Sequence, residues 1–544
     1  MSTGNLLNDE QMRQFVANGF IQIQTSLPEE THRRAHERTR KAFGPIGDME
    51  SDRKYNPGNN IMPIVPELHD VLADKNVVGA LTSLVGENYL IHPHRHCHPN
   101  FPARKVESQR RTIMGVHKDG HADGNPKPRH RHPRWLLLFY FPHPCPERLG
   151  PTCIVPGSHY YHRIRHTESR VRNVPVRRLG DRFLLPEGYV NREFLPLSAG
   201  QGAVSIIHFD VVHSVVTNIG AMSRYAHKFV VMRTKQPDSP SWDNADRYWK
   251  PDSLPETNES AIKTANQEIL MTYMWNWLRG TDDLFETDMV PTTSISDLTA
   301  RLDNDDVQTR LGAVSTLGFY RGDAKSAVDR IVRLLRDPSD SVRLNATYTL
   351  GAIGGAAVDQ LMSFLRDDGG FYREHPVLNV SNAAHALAAA GAEARGALAD
   401  GLGSPLEHVR AWSAYALGEM GATALAVVPK LLTLLDDKSL NVRRHAISAL
   451  GIIGVPQNTV EPALRKTFLH SDENDERIYA LQALIRIGGS NEETIDALAA
   501  GLGDEHPYIA AFSAEQLMRV SSEAALERAL PFLRRMRYFP HAIA

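Results

Sequence analysis

Two short stretches of this 544-residue chain place metal-binding side chains where strands can hold them. The segment TIMGVHKDG carries an H-x-D pair, His117 and Asp119, at the end of an apolar run. Alternation along a strand sets residues i and i+2 on one face. His213 follows 94 residues after Asp119, in the β-like run GAVSIIHFDVVHSVVTN at 202–218. Two imidazoles and one carboxylate on one side of an ion leave the opposite positions open, an arrangement suited to non-haem Fe(II) and O2. Arg224 lies 11 residues past His213 and enters the next strand, where a planar guanidinium can grip a carboxylate with two hydrogen bonds. A second H-x-D, His121 and Asp123, sits in HADGNPKP, which reads as loop. The first pair directly follows a strand, so the metal is expected at His117, Asp119 and His213.

Other residues invite chemistry with less support. The run HPHRHCH sets His92, His94, His96 and His98 on alternate positions, geometrically able to take a second metal, but no carboxylate or cysteine pattern accompanies them. Residues 104–178 hold 16 basic against 5 acidic side chains, a local +11 that includes Arg104, Lys105, Arg110, Arg111, Arg129, Arg131, Arg134 and Arg148. Such a field favours an anionic substrate, such as a carboxylate, phosphate, phosphonate or acyl thioester, or else contacts an acidic part of the same chain. Cys97, Cys145 and Cys153 are too few for a disulfide framework and suit a reducing compartment.

The elements that must position these residues are short and β-like. RRTIMGVHKDG, RWLLLFYFPH, PTCIVPGSHYYH, the run at 202–218 and YAHKFVVMR are broken by Gly and Pro turns, which predicts an antiparallel sandwich or barrel. Before them, LNDEQMRQFVANGFIQI reads as a helix capped by Asn8 or Asp9 that runs into a strand after Gly19. After them, the aromatic stretch at 240–280 is expected to pack over the barrel or dock onto the start of the C-terminal half, with GTDDLFETDMVPTTS as connector.

From about residue 295 the pattern changes. Leu317, Leu350, Leu387, Leu417, Leu450, Leu484 and Leu517 recur at spacings of 33, 37, 30, 33, 34 and 33 residues. Each unit holds two helical apolar segments, with small residues such as Ala346, Ala414 and Ala446 where helices must approach. One helix pair cannot bury its apolar face alone, so the units must stack into a solenoid. They resemble short HEAT repeats, the type also found in phycobilisome-lyase-like proteins. The array is expected to buttress or dimerise the first half, or to bind a protein or peptide partner.

Taken in order, H-x-D, an apolar strand, LGPTCIVPGSHYYH and a late His with Arg 11 residues on resemble the phytanoyl-CoA dioxygenase family of Fe(II)/2-oxoglutarate oxygenases over about residues 5–235. The opening helix and strand are similar too. The resemblance implies a double-stranded β-helix (jelly-roll, cupin-like) core, with iron on His117, Asp119 and His213 and the distal carboxylate of 2-oxoglutarate on Arg224. Thr152 and Ser214 are the candidates for a second 2-oxoglutarate contact. The implied reaction consumes O2, releases succinate and CO2, and oxidises a substrate C–H bond. An intact Asp119 favours hydroxylation or desaturation, since related halogenases carry a small residue there. Leu149 stands where the family motif has Asn, and Val215 where it often has Ser.

The chain is therefore read as multidomain, an oxygenase domain over 1–290 and an all-α solenoid of seven repeats over 291–544. Residues 1–290 hold 36 Lys+Arg against 32 Asp+Glu, a net +4, and the remainder 25 against 31, a net −6, so neither half reads as a nucleic-acid binder. The first residues lack a basic n-region and apolar core, position 2 is Ser rather than Gly, and no run of ~18 apolar residues appears, so a soluble cytoplasmic protein away from membranes is expected. The leading expectation is hydroxylation of a small or carrier-bound, anionic metabolite. The alternatives are an oxygenase acting on a protein or peptide recruited by the repeats, and a non-catalytic scaffold with a vestigial barrel.

Overall fold

Asn8, not Asp9, caps the first helix, α1 (Asp9–Asn18), through a capping box: Gln11 N donates to Asn8 Oδ1 at 2.9 Å, and Asn8 N to Gln11 Oε1 at 3.0 Å. Asp9 instead accepts from Trp242 Nε1 and from the backbone N–H of Ala245 and Asp246, tying the aromatic stretch to the helix. Gly19 ends α1 at φ 75°, where a Cβ would stand 2.4 Å from the His159 ring. The chain then enters strand β1 (Phe20–Gln24). These details come from a computed structural model, which describes residues 5–44, 60–103, 112–119, 130–160, 174–175, 177–179, 182–184, 193–250, 268–367, 381–454 and 457–538.

The remaining strands are β2 (Leu90–Asn100), β3 (Thr112–His117), β4 (Trp135–Tyr140), β5 (Thr152–Ile154), β6 (Val174–Pro175), β7 (Arg177–Leu179), β8 (Arg182–Leu184), β9 (Glu193–Pro196), β10 (Ala203–His208), β11 (His213–Val216) and β12 (Arg224–Met232). They form two antiparallel sheets, in the orders β1-β10-β4-β12-β2 and β6-β3-β11-β5-β9-β8-β7. Phe20, Leu137, Phe139, Ile207, Ala226 and Val230 of the first sheet share an apolar cluster with Ile154 and Leu195 of the second, so the sheets pack face to face. The other face of the first sheet, with Tyr140, Phe229 and Val231, is covered by α1, by α2 (Glu29–Phe43), α3 (Glu67–Ala73) and α4 (Lys75–Val85), and by α5 (Glu268–Arg279) with Trp275. Pro93 and Pro99 lie in β2, an edge strand, where a missing N–H is tolerated.

The run at 202–218 is not one strand but two. His208 ends β10 in the first sheet, its ring Nδ1 accepting from Asp210 N at 3.1 Å and its carbonyl from Val211 N at 3.0 Å. That turn carries the chain across to the second sheet, so His213 begins a strand rather than ending one.

From Ile295 onward the described residues are helical. Seven helix pairs follow, from Ile295–Arg301 with Val307–Gly318 to Glu492–Gly501 with Pro507–Val520, and a last helix, Glu523–Tyr538. An arginine on one second helix grips the acidic turn of the next unit: Arg310 with Asp337 and Arg410 with Asp437, both bidentate, and Arg477 with Asp504. Glycines inside these helices set the stacking distance. A Cβ at Gly418 or Gly451 would lie 2.8 Å from the Cα of Ala449 or Ala483. No described helix is long and apolar enough to cross a membrane.

Candidate metal centre and cavity

The antiparallel register sets His213 of β11 directly opposite His117 of β3, with ring centroids 4.4 Å apart. Asp119 lies two residues beyond β3, and its carboxylate folds back toward both rings. Asp119 Oδ1 is 3.4 Å from His117 Nε2 and 3.7 Å from His213 Nε2. Among the described residues these three form the one group of His, Cys and carboxylate side chains whose ligand atoms all lie within 4.8 Å of one another.

The surroundings prepare these atoms for a cation. His213 Nδ1 lies 3.0 Å from the Val211 carbonyl and must donate to it, which fixes the tautomer and leaves an Nε2 lone pair toward Asp119. Burial, partly opposed by Asp119, pulls the His213 pKa down to about 4, so the ring is neutral and able to ligate near pH 7. Burial alone would raise the Asp119 pKa, but His117, Lys228 and His213 outweigh it and hold the carboxylate well below its ordinary range. The His117 side chain remains 46% exposed, so the centre is open on one side. A donor set of two imidazole nitrogens and one ionised carboxylate fits Fe(II).

Adjoining segments brace the centre. In VPGSH, Ser158 Oγ accepts from Val212 N at 2.8 Å and donates to Val155 O at 2.6 Å, fixing the residue before His213. Lys118, between the two β3-side ligands, donates to Ser158 O at 3.0 Å. Lys228 reaches across from β12, where it sits between His96 and Phe139, and its ammonium pairs with Asp119 Oδ2. The sequence offered one signal for Lys228, a lone lysine in a nine-residue strand that is buried throughout.

Arg224 shares the Lys228 face of β12, four residues or ~13 Å along the strand. It is buried, and donates through Nε and Nη2 to Gly150 O at 3.2 and 3.0 Å and through Nη1 to His98 O at 3.0 Å. Thr152 pairs with Val215 and lies on the His213 face of its sheet, whereas Ser214 pairs with Cys153 on the opposite face. The three cysteines are buried and form no disulfide with one another, and burial pushes the Cys97 and Cys145 thiols up, the latter to about 11.

The β2 histidines spread along a wall instead of gathering round an ion. His94 Nδ1 is 2.6 Å from Tyr508 Oη, His92 meets Phe512 edge-to-face at 4.7 Å, and His98 lies 6.4 Å from Phe139. His121 and Asp123 lie outside the described residues, as do Arg104, Lys105, Arg110, Arg111 and Arg129. Arg131 and Arg134 of the basic segment follow the second of its two readings and turn into the repeats. Arg131 Nη2 donates to Asn382 Oδ1 at 2.7 Å, and Arg134 Nε to Glu419 Oε1 at 2.9 Å.

Glu419 anchors this joint. Its oxygens also accept from His130 Nδ1 and His132 Nδ1, and His132 stacks flat on Trp277 of α5 at 4.0 Å. Burial would raise the Glu419 pKa, but Arg134 and the two histidines outweigh it and hold it well below the carboxylate range. Burial keeps both imidazoles neutral, His132 at about 4, because Arg134 has already balanced the charge.

The repeats do more than support the sheets. A cavity of about 520 Å3 lies between the two halves, lined on one side by Asp119, Lys228, His94, Trp135, Phe209 and Val230, and on the other by Asp475, Tyr479, Gln482, Arg486 and Tyr508. Asp475, Tyr479, Gln482 and Arg486 follow at steps of 4, 3 and 4 along Asn474–Ile487, one stripe of that helix. Two positions after the aligned leucine of each unit stand Phe319, Ala352, Ala389, Glu419, Ile452, Arg486 and Arg519. Phe319, Ala352 and Ala389 join the apolar cluster of α5, Glu419 takes His130 and Arg134, Arg486 lies over Trp135, and Arg519 donates to the carbonyls of Asn88 and Tyr89. Glu419 stands where the flanking units have Ala389 and Ile452, a charge between two apolar residues.

A family model described as HEAT repeats matches residues 295–380 and 397–485. No curated relative matches the chain. Among solved structures, EctD from S. alaskensis with 2-oxoglutarate and 5-hydroxyectoine is similar at 15% identity, over 46% of this chain and 84% of that one, with a TM-score of 0.31. The apo non-heme monooxygenase ThoJ is similar at 13% identity, over 44% and 84%, with a TM-score of 0.29. The non-heme alpha ketoglutarate dependent epimerase SnoN from nogalamycin biosynthesis is similar at 13% identity, over 42% and 83%, with a TM-score of 0.25. Likenesses of that strength decide nothing about activity, and the case for the chemistry rests on the triad.

Proposed function

We propose that the chain is an Fe(II)- and 2-oxoglutarate-dependent dioxygenase of the phytanoyl-CoA dioxygenase type, with residues 1–290 as the oxygenase domain and 291–544 as the repeat domain. In this reading the paired sheets are a double-stranded β-helix, and the substrate is a small, anionic metabolite or carrier-bound group. The observation that carries it is the convergence of His117, Asp119 and His213, with His213 Nε2 freed by the Val211 carbonyl.

Iron bound there with 2-oxoglutarate and O2 would supply the oxidation of a C–H bond, with succinate and CO2 released. The chain's own residues set the conditions. His117 and His213 offer ring nitrogens, and Asp119 offers Oδ1 while Lys228 balances Oδ2. Arg224, with three of its five N–H groups given to backbone carbonyls, keeps one N–H on each Nη for the distal carboxylate of 2-oxoglutarate. Thr152 on the His213 face supports a second contact better than Ser214 does. The cavity wall formed by the repeats keeps bulk water from the substrate side of the centre and favours a small molecule over a recruited protein.

Anaerobic addition of Fe(II) and 2-oxoglutarate to the full chain is expected to produce a weak visible charge-transfer band. The band should vanish in His213→Ala, and Arg224→Gln should weaken 2-oxoglutarate binding without loss of metal. A folded wild-type protein without the band, or a His213→Ala variant that keeps it, would overturn the assignment.

A further inference from the structure

Arg486 is a charged side chain with nothing to hold. It is 9% exposed, it faces the cavity, and among the described residues it makes neither hydrogen bond nor ion pair. Its guanidinium carbon lies 5.9 Å from the centroid of the Trp135 ring, a cation–π contact that uses none of its five N–H donors. Neighbouring arginines are provided for: Arg443 has Glu476, Arg444 has Asp475 and Arg477 has Asp504. The buried Glu419 is already taken by Arg134, His130 and His132. Burial, aided by the charge of Arg134, lowers the Arg486 pKa to about 10, which leaves the group protonated at neutral pH. A buried cation whose donors are unmet is costly, and a ligand anion is the partner that removes the cost.

We propose that Arg486 binds the anionic group of an organic ligand whose flat or apolar body lies against Trp135, Phe209, Tyr479 and Tyr508, all on the cavity wall. The repeat array then reads the charged end of the ligand, while the triad faces the end to be oxidised. The proposal depends on the oxygenase reading only in naming the bound anion the substrate. The anion site itself stands on Arg486 and its surroundings. A carboxylate, phosphate or sulfate satisfies the guanidinium equally well, and so would the distal carboxylate of 2-oxoglutarate.

Calorimetric titration of the full chain separates these sources. Benzoate and phenyl phosphate serve as anionic probes, and 2-oxoglutarate in the presence of Mn(II) as the co-substrate arm. Wild type is expected to bind at least one aryl anion. Arg486→Gln should weaken that binding at least tenfold, and Arg486→Lys should restore part of it. Affinity for 2-oxoglutarate should stay within twofold in all three proteins. The melting temperature of Arg486→Gln should equal or exceed that of wild type, since a buried charge without a partner has been removed. The proposal is overturned if wild type binds neither aryl anion, if Arg486→Gln binds them as tightly, or if it loses 2-oxoglutarate in step with them. It is equally overturned if both variants melt well below wild type, which assigns Arg486 to packing. If Mn(II) and 2-oxoglutarate fail to bind wild type while the aryl anions still require Arg486, the oxygenase reading falls and the anion site remains.

Discussion

Asp119, partly buried, and Glu419, buried, are both carboxylates flanked by two histidines and one long basic side chain, yet they are built for opposite ends. At Glu419 the rings turn Nδ1–H toward the carboxylate at hydrogen-bonding distance, Arg134 adds its guanidinium, and every oxygen lone pair has a donor nearby. At Asp119 the nearest ring nitrogens are both Nε2, at 3.4 and 3.7 Å, and for His213 the donating nitrogen has been spent on a backbone carbonyl. The first arrangement is closed and holds two halves of a chain together. The second leaves the Nε2 lone pair of His213 facing Asp119, an arrangement suited to a cation. Composition does not separate a joint from a ligand set; which ring nitrogen faces the carboxylate does.

The largest expected divergence between the two clusters is in activity. His117→Ala, at a half-exposed ring, should lower 2-oxoglutarate-dependent succinate release by ~100-fold or more while moving stability by no more than ~0.5 kcal/mol. Retained turnover would break the contrast at once. Glu419→Ala should do the reverse, costing ~3–5 kcal/mol by denaturant titration because two histidines and Arg134 lose their buried partner. Mn(II) should still bind the fraction that remains folded.

Acid should act on the joint before it acts on most of the surface. His94, His132 and His208 are held at about 4 by burial against an ordinary 6.5, so the unfolded chain takes up protons first as pH falls. Their contribution is complete above pH 6.5 and is lost between 6.5 and 4, on the order of 1 kcal/mol or more per ring. Glu419, depressed in the folded state, adds its own loss below the ordinary 4.5. A melting temperature flat from pH 7 to pH 4 would show that these rings are not buried as neutral species. The smallest effect is expected at Lys228→Met, which leaves Asp119 without its cation and costs ~1–2 kcal/mol in the metal-free protein. The Mn(II)-induced rise in melting temperature should then exceed that of wild type.

Much of this was legible along the chain, and the limits have a physical cause. The convergence of His117, Asp119 and His213 was foreshadowed by strand alternation after an apolar run, and the solenoid by leucines that recur at near-constant spacing. The capping box at Asn8 needed only Gln11 three residues on. The joint could not be read the same way. Glu419 meets His130 across 289 positions, and no period or local motif encodes such a contact. Of the two readings of the basic segment, Arg131 and Arg134 take the contact with the repeats, because buried acceptors wait there. The split of 202–218 into two strands was hidden for a different reason: β10 and β11 are both apolar, and the turn between them is made by the ring and carbonyl of His208.

The position two residues after each repeat leucine has a consequence for how such a molecule can diversify. In a solenoid each unit touches only its neighbours, and stacking is set by contacts such as Gly418 on Ala449 and Gly451 on Ala483. A substitution at Arg486 or Arg519 alters what the repeats present to the N-terminal half. Under the proposed function, chains sharing one metal centre could admit different compounds by exchanging single residues along this column.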